Sequence, residues 1–189
     1  IMSSDWSSDV CSSDLLVFVR KPAPIQLAWL GYPDTTGLAA MDYRFTDSVA
    51  DPEGVADRYF TETLIRLPRG FLCYTPPAVA PEPGPLPFLS QNHITFGSFN
   101  NLIKVNDKVV AAWAQILHQV PGSILILKSR QFVNESTKRQ YVEMFAKNNI
   151  PSERVMMRVR IPDKREHLAL YNQVDIGLDP FPYNGTTTS

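Results

Sequence analysis

Residues 94–127, ITFGSFNNLIKVNDKVVAAWAQILHQVPGSILIL, say most about how this chain folds. Ile94–Phe99 is a short, mainly apolar run of the kind that forms a buried strand. Asn106 is a good N-cap, and Val109, Val110, Trp113, Ile116 and Leu117 share one face of a helix reaching His118. Pro121-Gly122 stops that helix, and Ile124–Leu127 opens a second buried strand. Strand, helix and strand in close succession predict a βαβ unit, hence a parallel sheet with crossover helices.

The alternation continues toward the C terminus. Ser136 is the expected cap of a helix to Lys147, and Arg154–Val159 reads as a strand. Asp163 caps a helix to Asn172, with Glu166 at the third helical position as a capping-box partner. Asp175–Asp179 is the next strand. The loops Asn100–Lys104, Lys128–Phe132, Arg160–Lys164 and Pro180–Thr188 all follow strands, where parallel sheets bind ligands.

Toward the N terminus, Ile25–Leu30 reads as a buried strand entering the turn Gly31-Tyr32-Pro33. Tyr43–Thr46 and Thr63–Leu67 are further strands, and Pro52–Tyr59 is one or two helical turns. Trp29 and Trp113 read as core. Pro76–Pro87 holds six prolines in twelve positions, which favours unpaired extended backbone and marks a linker.

Of the 189 residues, 44% are hydrophobic and 20% charged, the balance of a globular protein with one medium domain or two small lobes. A net charge of −1 gives no broad pull toward nucleic acid or a membrane surface. Cys11 and Cys73 offer neither a disulfide framework nor CxxC spacing, which fits a reducing, cytoplasmic setting. His93, His118 and His167 stand far apart without metal-ligand spacing, so no metal site is expected; no cofactor is expected either. No apolar run approaches the ~18 residues of a membrane span, and Leu15–Val19 lacks the basic start and length of a signal peptide.

Residues 3–15, SSDWSSDVCSSDL, repeat SSD three times. Asp5–Leu15 resembles the conceptual translation of a common sequencing adapter; the plainer alternative is a Ser/Asp linker. Residues 1–15 are therefore set aside as a disordered, non-native leader. The chain stops at Thr186-Thr187-Thr188-Ser189 with no closing helix, so both ends are expected to be cut.

The segment 178–189, LDPFPYNGTTTS, places a Pro-rich turn, Asn-Gly and a run of hydroxyls after a strand. Gly185 permits close backbone approach, and N–H groups where a helix begins suit an anion such as phosphate. An ordinary Thr cap after a turn explains the same residues equally well.

The string DPFPYNGTTTS nevertheless resembles the signature of the TPR-linked protein O-GlcNAc transferase family, above all its bacterial and SPINDLY-like branch. KPAPIQLAWLGYPDTTG (21–37), FGSFNNLIK (96–104) and the Asp163–Asp175 segment with EHLALY match further family motifs in the right order. The resemblance implies an α/β fold of the GT-B glycosyltransferase type, present in part. Residues 16–90 would be the end of the N-terminal Rossmann-like lobe with its linker at 76–87. Residues 91–189 would be the first part of the C-terminal, nucleotide-sugar-binding lobe. It also implies inverting, metal-independent transfer of GlcNAc from UDP-GlcNAc to Ser or Thr hydroxyls of acceptor proteins. The parent protein would carry N-terminal TPR repeats.

Carried over residue by residue, Lys104 matches a lysine on the donor diphosphate, where a fixed cation stabilises the leaving UDP. Asn101 matches a Gln or Asn at the phosphates. Thr187 and Thr188 match diphosphate threonines beside Gly185, and Thr186 stands where animal enzymes have His. Lys164 and His167, three apart on one helical face, match residues near the uridine; the alternative is a salt pair of Lys164 with Glu166 and a half-buried His. Gly31, Tyr32 and Pro33 match a loop lining the active cleft. Two positions depart from the pattern: Asp34 replaces the usual Gly, and Leu170 replaces an arginine of animal enzymes. The first puts a carboxylate near the donor phosphates, and the second removes a nucleotide contact. The fragment is expected to be inactive alone. Competing readings are a SPINDLY-type O-fucosyltransferase using GDP-fucose, a non-catalytic nucleotide-binding piece, and an unfolded fragment.

Overall fold

A computed structural model of the protein describes residues 15–30, 34–185 and 188. The chain divides into two units, Ile1–Thr75 and Pro76–Ser189, and each contains a parallel sheet.

In the first unit, β1 (Leu27–Ala28), β2 (Tyr43–Thr46) and β3 (Thr63–Arg66) lie side by side in that order. The strand expected over Ile25–Leu30 pairs through only two residues. Leu30 has φ 60°, which turns the backbone out of extended geometry. Trp29, expected in the core, is 45% exposed. Its ring packs edge-on against Phe45, and its indole N–H donates to the Phe71 carbonyl at 2.8 Å.

Polar side chains fill much of this unit's interior. Arg44 is buried, donates from Nη1 to the Asp34 carbonyl at 3.0 Å, and lies 5.6 Å from the Phe60 ring centre. Buried Glu62 accepts from the Thr36 N–H and the Thr35 hydroxyl, each at 2.7 Å, and from the Thr36 hydroxyl. Burial pushes the Glu62 carboxyl up, but these hydrogen bonds to the ionised form prevail and hold its pKa below the usual value. Residues 34–36 are thus held by two buried ions of opposite sign.

The second unit contains β4 (Thr95–Ser98), β5 (Ile124–Ser129), β6 (Val155–Val159) and β7 (Ile176–Gly177), all parallel, in the order β6-β5-β4-β7. The crossovers carry α1 (Asp107–Gln119), α2 (Glu135–Ala146) and α3 (Lys164–Ala169). Asn106 caps α1, its side-chain oxygen accepting from the N–H groups of Lys108 and Val109. Val109, Val110, Trp113 and Leu117 of α1 pack into the core with Leu125, Leu127, Phe132 and Phe145. Arg154 closes the far end of α1 by donating to the carbonyls of Leu117, Val120 and Ser123.

Three expectations shift in position. Helix α2 starts at Glu135, before the expected cap Ser136, because the 3₁₀ turn Arg130–Val133 leads directly into it. Asp163 does cap α3, accepting from the Glu166 N–H at 2.8 Å. That helix lasts six residues and continues as the 3₁₀ turn Leu170–Gln173. The last strand is reduced to Ile176–Gly177, and Asp175 anchors it through its own side chain. Asp175 accepts from the N–H groups of Thr95 and Phe88, both at 2.9 Å. The proline-rich stretch has neither helix nor strand before the single turn Phe88–Gln91, and the Gly84 N–H donates to Asn172.

From β4 the chain steps to β5 and then β6 on one side; β7 returns to the other side of β4. Connections therefore diverge between β4 and β7. In an open parallel sheet this switch point is where the strand ends leave a crevice.

Candidate functional site

A cleft of about 440 Å³ lies at that point. Gly97, Ser98, Phe99 and Asn100 line it from β4 and its continuation, and Gly177, Leu178 and Asp179 from β7. Tyr171, Val174 and Thr188 complete the wall. Gly97 is required by packing. A Cβ there would stand 2.5 and 2.8 Å from the two methyl carbons of Val174. Gly97→Ala is expected to cost about 1–3 kcal/mol in chemical denaturation, and adding Val174→Ala should restore most of it. Equal destabilisation in the single and double variants would refute this account.

Ser98 is 4% exposed, and its hydroxyl has no hydrogen-bond partner. Most buried hydroxyls are satisfied, so this one is an exception beside the cleft.

Two loops close over the strand ends and are tied together. Asp179 Oδ1 accepts from Asn100 Nδ2 at 3.0 Å and from the Gly185 N–H at 3.2 Å. Lys104 Nζ donates to the Asn184 carbonyl at 2.9 Å. Tyr171 Oη donates to the Thr188 carbonyl at 2.9 Å. The glycine-containing turn is thereby fixed against the loop that carries Asn101 and Lys104.

Beside the cleft, Lys128 is almost fully buried near the carboxyl end of β5. Its ammonium lies 4.3 Å from the Phe99 ring centre and hydrogen bonds to His167 Nδ1. No carboxylate pairs with it among the described residues. Burial, followed by repulsion from Arg160, pushes its pKa down from 10.5 to about 8. His167 is held below its usual value by burial, then by the charges of Lys128 and Arg160. An ammonium can only donate, so His167 Nδ1 must accept and the neutral ring carries its proton on Nε2.

The expected site residues divide clearly. Asn101, Lys104, His167, Gly185 and Thr188 all belong to the loops and helix at this end of the second sheet. Lys164, the first residue of α3, is exposed and forms no salt pair with Glu166. Leu170 is buried. Gly31, Tyr32, Pro33, Thr186 and Thr187 lie outside the described residues. Asp34 belongs to the first unit, where its carboxylate accepts from the Thr35 N–H. His118 ties the end of α1 to the Asn148 carbonyl. No group of three His, Cys, Asp or Glu suited to a metal ion occurs among the described residues. No helix among them is long and apolar enough to cross a membrane.

Sequence reasoning missed Lys128, Ser98, Asp179 and the aromatic pair Phe99–Tyr171, whose ring centres are 4.6 Å apart. For Lys128 a signal existed: it is the lone charge at the end of the apolar run ILIL. Asp179 and the aromatic pair depend on contacts 70 to 80 residues apart in the chain, such as the 79-residue separation of Asn100 and Asp179.

Comparison with known proteins gives a consistent picture. The sequence profile described as Glycosyl transferase family 41 matches residues 13–75 and 87–189. A Solanum lycopersicum protein named probable UDP-N-acetylglucosamine–peptide N-acetylglucosaminyltransferase SPINDLY is 45% identical over 172 residues, which cover 89% of this chain and 18% of that protein. The Arabidopsis thaliana protein of the same name ending in SEC is 31% identical over 183 residues, covering 91% and 18%. A mutant O-GlcNAc transferase of Thermobaculum terrenum, known as a solved structure, aligns with TM-score 0.84 and 35% identity. That match covers 93% of this chain and 32% of the other. The chain therefore spans 18% of the length of each of these two curated relatives. The likenesses bear out the resemblance seen in the motifs and the partial, GT-B-type α/β fold.

Proposed function

The chain belongs to glycosyl transferase family 41, and from there we propose that it carries the nucleotide-sugar half-site of a protein O-GlcNAc transferase. The longer enzyme would move GlcNAc from UDP-GlcNAc to Ser or Thr hydroxyls. The observation that best supports this is the switch-point cleft, with Lys104 and the Gly185 turn fixed beside it. As an acceptor hydroxyl attacks the anomeric carbon, the bond to the β-phosphate oxygen breaks and UDP gains negative charge. Lys104 takes up that charge, with Asn101 and the Thr187–Thr188 segment donating to phosphate oxygens. Lys128 adds positive potential behind Phe99. His167, presenting Nε2–H, meets the ribose or base, with Lys164 nearby. We expect no turnover from this chain alone.

A second reading, GDP-fucose as donor, draws support from one observation. Leu170 is buried, so the arginine contact of animal enzymes has no counterpart at that position.

Thermal unfolding of the chain with millimolar UDP, and separately GDP, tests both readings. A ligand at a hundred times its Kd stabilises the folded state by about 2.7 kcal/mol. A rise in Tm with UDP alone supports the GlcNAc donor, and a rise with GDP alone supports the second reading. No rise with either would refute the half-site.

A further inference from the structure

We propose that Gln131 is a positioning residue for the donor diphosphate: it locks the Asn101 carboxamide with its two N–H bonds turned toward the bound anion. This inference rests on the nucleotide reading of the cleft. It is carried by hydrogen-bond directions that leave no freedom of assignment.

The backbone N–H of Ile103 points at one end of the Asn101 carboxamide, at 3.2 Å. A backbone N–H can only donate, so that end must be Oδ1. Gln131 Nε2 donates to the same oxygen at 2.9 Å. Turning either amide over would set two acceptors or two donors against each other. Gln131 Oε1 in turn accepts from the hydroxyl of Ser129, a residue only 7% exposed at the end of β5. The path therefore runs from the rigid sheet, through Ser129 and Gln131, to Asn101.

Both lone pairs of Asn101 Oδ1 are now occupied. Its Nδ2 has no acceptor among the described residues, and the residue is exposed at the loop that also carries Lys104. An amide with a saturated oxygen and a free NH₂ offers a ligand donors alone, which favours anionic oxygens over any donor-bearing group. Removing Gln131 leaves the Ile103 bond as the sole restraint on the amide.

The test is direct titration of UDP and GDP into the 189-residue chain, using Gln131→Leu, Gln131→Glu, Asn101→Ala and the Asn101→Ala/Gln131→Leu double variant. Losing control of one hydrogen bond to a charged group should weaken binding about tenfold in Gln131→Leu. Gln131→Glu keeps the shape but can only accept, so it draws Nδ2 toward itself and adds a negative charge. Its loss should exceed that of Gln131→Leu. The Gln131→Leu effect should vanish once Asn101 is Ala, which a general structural role would not predict. In the ¹⁵N-labelled parent chain, the Asn101 side-chain NH₂ signals should shift on saturation with nucleotide. Wild-type affinity in both Gln131 variants would overturn the inference while leaving the half-site intact. So would an unmoved Asn101 NH₂ pair at saturation, or a loss that persists in the Asn101→Ala background. Failure of the parent chain to bind either nucleotide would overturn the half-site itself, and this inference with it.

Discussion

Replacing Lys128 with Met will make the ligand-free chain more stable and a poorer binder of nucleoside diphosphate. The ammonium is buried against Phe99 and His167 with no carboxylate beside it among the described residues. A fall in pKa from 10.5 to about 8 corresponds to about 3 kcal/mol held against the charged form at neutral pH. Met has similar length and needs no solvation, so most of that penalty disappears. The pH dependence has a definite sign. The unfolded chain keeps its Lys128 proton up to about 10.5, and the folded chain releases it near 8. Between those values the unfolded state binds more protons, so wild-type stability rises with pH. Urea denaturation at pH 7 and at pH 9.5 should show the advantage of Lys128→Met shrinking at the higher value. Nucleotide binding responds in the opposite sense. An anion in the cleft favours the charged lysine, so wild-type affinity falls as pH passes about 8, and the Met variant loses that dependence. If Met instead destabilises the chain at pH 7, the aromatic and imidazole contacts outweigh the desolvation, and the lysine is structural.

Lys104→Met in a full-length enzyme carrying this segment is expected to lower kcat by 10²–10³-fold, the range found when one fixed donor to a developing oxyanion is removed. Lys104 is half-buried at the end of the Leu102–Lys104 turn, and its recorded partner is the neutral carbonyl of Asn184. No carboxylate pairs with its ammonium among the described residues. The donor KM should change far less than kcat, because the β-phosphate oxygen carries more negative charge in the transition state than in the bound donor. Stability should stay within about 0.5 kcal/mol of wild type, as for other partly exposed positions. Unchanged kcat with a raised KM would reduce Lys104 to a binding residue.

The second unit could be read from the sequence because its local signals agree with one another. Asn106 and Asp163 are caps whose bonds form as expected, and the apolar face of α1 is the face that packs. The first unit was harder to read. Its interior is built on Arg44 and Glu62, which no hydrophobic pattern can reveal, while Trp29 stays partly in solvent because Phe71 gives its N–H a partner at the edge. At the site, motif positions gave Asn101, Lys104, His167, Gly185 and Thr188. They could not give Gln131 or Lys128, because these residues act through side-chain contacts 30 and 39 positions away in the chain. The Gly31–Pro33 loop and Thr187 lie outside the described residues.

The strand order also fixes when the cleft can exist. Strands β4, β5 and β6 pair with sequence neighbours, Thr95 with Ile124 and Leu125 with Val155. β7 must instead return across the whole unit to set Phe96 against Ile176, a far longer loop closure that only two paired residues reward. During synthesis, three strands and two helices can therefore be assembled while one wall of the cleft is still inside the ribosome. The cleft is complete only after Asp179 has emerged and docked, so it forms later than the three strands that precede it.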